Sequence, residues 1–90
     1  MVYLISYTLF RPGQDYKDLH KAIKEISGIW WHHTTSAWAV ESNLSAEQIY
    51  KHLSPFVDSN DDLIVLRLQG QYWGKIADSS STNWLRARTF

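Results

Sequence analysis

From Val2 to Phe10 the chain is rich in β-branched and aromatic residues, which predicts a strand, and Arg11-Pro12-Gly13 ends it as a turn. Asp15 is placed to cap a helix. Tyr16, Leu19, Ile23 and Ile26 then recur at helical spacing, with Lys17, Asp18, Lys21, Lys24 and Glu25 on the opposite side. Gly28 is a stop signal. Ile29 to His33 reads as a second strand, Thr34-Thr35-Ser36 as its turn, and Ala37 to Glu41 as the returning strand of a hairpin. Ser45 and Gln48 have capping-box spacing, in which each side chain satisfies a free backbone donor of the first helical turn. Ala46, Ile49, Leu53 and Phe56 form the apolar stripe of that second helix, and Pro55 should end it. Ser59-Asn60-Asp61-Asp62 is a turn, Leu63 to Gln69 a strand, and Tyr72-Trp73 between Gly70 and Gly74 a short fifth strand. Asp78 to Asn83 reads as loop, and Asn83 to Arg86 as the start of a short terminal helix.

The order strand, helix, strand, strand, helix, strand predicts an α+β protein. It is the ferredoxin-like βαββαβ arrangement, an antiparallel sheet with two helices on one face. Residues 1–75 form the expected domain. Residues 76–90 form a C-terminal extension, either a short helix or a segment ordered on a partner. Period-two parity assigns Tyr3, Ile5, Tyr7, Leu9, Trp38, Val40, Ile64, Leu66 and Leu68 to the helix-covered face. The other face then carries Leu4, Ser6, Thr8, Ala37, Ala39, Leu63, Val65 and Arg67. It is apolar enough to be worth covering, so a homodimer through Leu4, Ser6, Ala37, Ala39 and Val65 is expected.

Ninety residues make one small domain with a thin core, which gives a dimer a reason to form. Nine Lys and Arg balance nine Asp and Glu, which argues against a polybasic nucleic-acid coat or membrane binder. The balance is uneven along the chain. Residues 1–62 hold eight acids and five basic groups; residues 63–90 hold Arg67, Lys75, Arg86 and Arg88 against Asp78. With Trp73, three of these (Arg67, Arg86, Arg88) are the candidate binding residues, because Trp and Arg dominate binding hot spots. There is no Cys, which excludes disulfides and thiolate chemistry. No apolar run is long enough for a membrane span and the start lacks a basic, apolar leader, so a cytoplasmic protein is expected.

Signals for specific chemistry are sparse. His20, His32, His33 and His52 show no metal-ligand spacing, so no metal site is expected. Asp58, Asp61 and Asp62 lack the remaining features of a calcium loop and read as a solvated turn. There is neither a phosphate-cradling glycine motif nor a nucleophile elbow. Ser36 to Glu41 does not match the third strand of an RNA-recognition module, so Trp30, Trp38 and Trp84 read as core or interface anchors. Lys17, Lys21 and Lys24 share one stripe of the first helix, ordinarily a solvated face.

Tyr3-Leu4-Ile5-Ser6-Tyr7, Arg11 to Tyr16, Leu19, Ala22-Ile23-Lys24, Trp30-Trp31-His32, Ser36-Ala37-Trp38, Leu44 to Glu47, Asn60 to Leu63 and Trp73-Gly74 together resemble the short SinR-like proteins of bacterial and phage genomes. More distantly the chain resembles the small nuclease-like subunit of CRISPR adaptation complexes and the virulence-associated protein D toxins. That resemblance implies a homodimer in which an Asp at the end of the first strand holds Mg²⁺ or Mn²⁺ for phosphodiester cleavage. The matching position here is Thr8, and Thr35 stands where SinR-like relatives often have a second Asp. A hydroxyl carries no charge and is a poor ligand for such an ion. The expectation is therefore a non-catalytic homodimeric interaction module without a cofactor. It would bind a protein or nucleic-acid partner, in the manner of an antitoxin, a defence-related subunit or a phage inhibitor. The alternative is a weak metal-dependent endonuclease acting on RNA or DNA.

Overall fold

The computed structural model describes residues 1–9, 17–34, 36–71, 73–74 and 79–90. The expectations for Phe10, Arg11 to Tyr16, Thr35, Tyr72 and Lys75 to Asp78 lie outside the described residues. Strand β1 (Val2–Thr8) is followed by helix α1 (Lys17–Ile26), the hairpin β2 (Trp30–Thr34) and β3 (Ala37–Glu41), and helix α2 (Ala46–Leu53). A single 3₁₀ turn (Ser54–Phe56), strand β4 (Asp62–Arg67) and helix α3 (Ser79–Arg86) complete the chain. The four strands form one sheet in the order β2-β3-β1-β4, with every neighbouring pair antiparallel.

The ends of the elements follow from local chemistry. At α2, Ser45 Oγ accepts the Gln48 backbone N–H at 3.1 Å, and the Gln48 side chain accepts the Ser45 N–H at 2.8 Å. Pro55 has no N–H to continue the ladder, and the α-helix passes into the 3₁₀ turn just before it. Helix α1 stops at Ile26, two residues before Gly28. Gly28 does not take the left-handed conformation there. Ser27 Oγ instead accepts the Ile29 N–H at 3.0 Å and turns the chain towards β2.

The core lies between the sheet and α1 and α2. Tyr3, Ile5 and Tyr7 of β1 and Trp38 and Val40 of β3 meet Leu19, Ala22 and Ile23 of α1 and Ile49 and Leu53 of α2, all buried. Each buried phenol is hydrogen-bonded; the Tyr3 hydroxyl donates to the Leu44 carbonyl at 2.7 Å. Phe56, expected on the apolar stripe of α2, lies beyond the helix end and is exposed.

The parity expected for β4 is reversed. Cross-strand partners share a face, and β1 pairs Tyr7 with Leu63, Ile5 with Val65 and Tyr3 with Arg67. Leu63 and Val65 therefore pack against the helix-side core, while Ile64 and Leu66 point away from it and are 52% and 46% exposed. Ile64, Leu66 and Leu68 are the more apolar parity, so the pattern favours the wrong face, but Leu63 and Val65 of the other parity are apolar enough to fill the core. The register with β1 decides, and a one-residue slip would exchange the two sets.

The C-terminal segment also departs from expectation. Ser79 to Asn83, read as loop, is the body of α3, and Asn83 to Arg86 ends that helix. Trp73 is in no strand and is fully exposed. Helix α3 packs at β2, Arg88 pairs with Glu41 of β3, and the Phe90 side chain lies against Gly70. Gly70 has φ +95°, and a Cβ there would meet Phe90 Cβ at 3.4 Å. Val2 and Ala39 are buried although they lie on the sheet face opposite α1 and α2, and Trp31 of β2 is the direct cross-strand partner of Ala39 there.

Candidate functional site

Among the described residues, a cluster of polar and aromatic side chains sits where α1 crosses β1, β3 and β2. Helix α1 brings His20, the neighbour of buried Leu19, to the edge of the core. Strands β1 and β3 bring Tyr7 and Trp38 on their helix-facing parity, and β2 brings His32. Trp38 Nε1–H donates to the Tyr7 hydroxyl oxygen at 3.3 Å, and that hydroxyl lies 2.7 Å from His20 Nε2. The phenol donates when that imidazole nitrogen is unprotonated and accepts when it carries a proton. The His32 ring stacks on Trp38 with centroids 4.0 Å apart and 13° between planes, and His20 meets His32 edge-on at 5.2 Å.

Above this floor, Lys24 Nζ lies 5.0 Å from the centroid of the Trp30 ring and 5.9 Å from that of Trp38, and the Trp30 ring itself is 5.1 Å from Trp38. Both distances place the ammonium within reach of the negative ring faces. Lys17, His20, Lys21, Lys24 and Glu25 line an open cleft of about 460 Å³ beside it. Glu25 is turned towards α2, where His52 Nε2 lies 3.9 Å from its carboxylate. A second hollow of about 540 Å³, near Met1, Ile26, Ile29 and Leu44, has Glu41 as its one charged side chain, and Glu41 is already held by Arg88.

The residues singled out from sequence fall in different places. On the sheet face away from α1 and α2, Leu4, Ser6 and Ala37 are half-buried, whereas Ala39 is buried within the chain itself. Val65 belongs to the opposite face and packs on the core, so it leaves the expected dimer set; Ile64 and Leu66 take its place there. Arg67 is exposed on edge strand β4, and Arg86 is exposed at the end of α3, which packs at the other edge strand, β2. Arg88 is half-buried, paired with Glu41 and stacked 4.7 Å over the Trp84 ring. It clasps the tail to the sheet. Trp73 stands alone in solvent.

Thr8 is the last residue of β1, short of the expected strand end at Phe10, and Asp62 opens β4 directly opposite it. The spacing of directly paired residues in a sheet is about 4.5–5.5 Å between Cβ atoms. The turn before β4 is held internally, with Asp61 Oδ2 accepting the Asp58 N–H at 2.8 Å. One carboxylate beside one hydroxyl falls short of the paired carboxylates implied by the nuclease resemblance. Among the described residues, no three His, Asp or Glu side chains come together as a metal site.

The cluster of Tyr7, His20, His32 and Trp38 was not legible as a unit. Tyr7 and Trp38 carried the parity signal of core residues, but nothing in the spacing of His20 and His32 links the first helix to the second strand along the chain. No protein-family model matches the chain, and no solved structure matches it.

Proposed function

We propose that this chain is a ferredoxin-like, non-catalytic interaction module that works as a homodimer and binds a macromolecular partner. The βαββαβ order and the sheet order β2-β3-β1-β4, with β1 central, support the fold reading. The observation that carries the dimer is the uncovered half of the sheet. Val2 and Ala39 are buried, but half-buried Leu4 and exposed Ile64 and Leu66 form an apolar strip on β1 and on β4, an edge strand among the described residues. Leu4 and Leu66 are direct cross-strand partners, so the strip is continuous. An edge strand with such a strip invites pairing, and a second copy supplies a matching surface. Sedimentation equilibrium over a concentration series is the test. A dimer that dissociates on Ile64→Lys or Leu66→Lys is expected, and a monomer at every concentration overturns the reading.

The second reading is a metal-dependent endonuclease, and the position of Asp62 across from Thr8 favours it. Incubating end-labelled RNA and DNA with and without Mn²⁺ decides between the two. Metal-dependent products lost on Asp62→Asn support the nuclease. Intact substrates support the binding module.

A further inference from the structure

We infer that the exposed side of α1, together with Trp30 of β2, is a binding site for single-stranded nucleic acid. Lys17, Lys21 and Lys24 project from one stripe of α1 over the open cleft. From Lys17 to Lys24 the stripe runs roughly 10 Å along the helix at about 1.5 Å per residue, longer than a single phosphate needs. In a chain of zero net charge this is a local concentration of cations.

Two of these cations are not held by an acid. Among the described residues, neither Lys21 nor Lys24 is ion-paired to a carboxylate, and Lys24 rests only on aromatic rings. The acids on the same helix are Asp18 and Glu25; Glu25 lines the end of the cleft beside Lys24 and lies 3.9 Å from His52 Nε2. Trp30 is 38% exposed and is braced from beneath by Trp38. A partly exposed indole, capped by the Lys24 ammonium, offers a π-face for an unstacked base once that lysine turns to an adjoining phosphate, and Lys21 supplies a second charge. That pairing of aromatic platform and basic groove is the general chemistry of single-strand binding. A duplex buries its base faces and cannot use the indole. An acidic peptide can use the lysines but gains nothing from stacking.

The inference rests on the chain being a binding module, but it uses a different surface from the β1–β4 strip. Dimerisation and strand binding can therefore fail separately when mass and binding are read on the same sample. The experiment is fluorescence anisotropy with a labelled single strand of roughly 12 nucleotides, within the usual range of site sizes. Binding that weakens steeply between about 50 and 200 mM salt is expected. Replacing both Lys21 and Lys24 with Ala should reduce the salt slope by about 1.4, since each phosphate contact to a single strand contributes about 0.7. Trp30→Ala should weaken binding roughly 5- to 100-fold. The lysines are exposed, so their variants keep the test valid if Trp30→Ala impairs folding. Absence of binding at low salt overturns the inference. So does equal binding of the duplex or of polyglutamate, or a salt slope unchanged in the double Ala variant.

Discussion

Arg88 Nη1 donates to Glu41 Oε2 across 3.0 Å and joins the C-terminal tail to the end of β3. The two residues are 47 positions apart, and both side chains are mostly shielded from water. The same guanidinium lies over Trp84, so one side chain fixes the tail to the sheet and to α3. Arg88→Ala should cost about 1 kcal/mol of global stability. Its clearer effect should be faster hydrogen exchange in α3, with β1 and β3 amides unchanged. Equal acceleration in all three elements would show that α3 is part of the central cooperative unit.

The two faces of β4 provide a second prediction. Val65 packs on the core and Ile64 points to solvent. Val65→Ala should destabilise by about 1–2 kcal/mol at ~0.8 kcal/mol per buried methyl-sized group. Ile64→Thr should change the stability of the monomer by no more than about 0.5 kcal/mol. Urea denaturation of both variants reads the difference. The reverse order would place β4 in the register that the sequence pattern first suggested.

Tyr7 links three elements through one hydroxyl. Tyr7→Phe leaves the Trp38 indole N–H without its acceptor in the core and removes the tie to His20. The expected cost is about 1–3 kcal/mol, the usual penalty for an orphaned buried polar group. Denaturant midpoints of Tyr7→Phe and the double variant Tyr7→Phe/His20→Leu test the linkage. The second substitution should cost less in the Tyr7→Phe background than in the native chain.

The capping box of α2 is local and should behave so. Ser45→Ala should lower stability by about 1 kcal/mol, and Ser45→Asp should largely retain it, since Asp accepts the same backbone hydrogen bond. Thermal unfolding of the two variants is sufficient.

Gly70 is the described residue whose backbone needs glycine. Gly70→Ala should destabilise by about 1 kcal/mol, because alanine is strained at φ +95°; its Cβ would make only an ordinary 3.4 Å contact with Phe90. The cost of Gly70→Ala should therefore be the same with and without Phe90, which thermal melts of the single and double variants read.

The local features were written in the chain itself. Leu19 and Ile23 recur at helical spacing and both are buried on α1; Ser45 and Gln48 cap α2 as their spacing requires; Ala37 to Glu41 is the third strand to the residue. These depend on neighbours within a few positions, and so a linear pattern contains them. The face adopted by β4, the docking of α3 at β2, the pairing of Thr8 with Asp62 and the cluster of Tyr7, His20, His32 and Trp38 were decided by tertiary structure alone. Leu63 to Leu68 satisfies either face, and serine-rich Ser79 to Asn83 has weak helix propensity of its own. In both segments the local preference is small. Long-range register and packing supply the larger free energy, and they select the conformation.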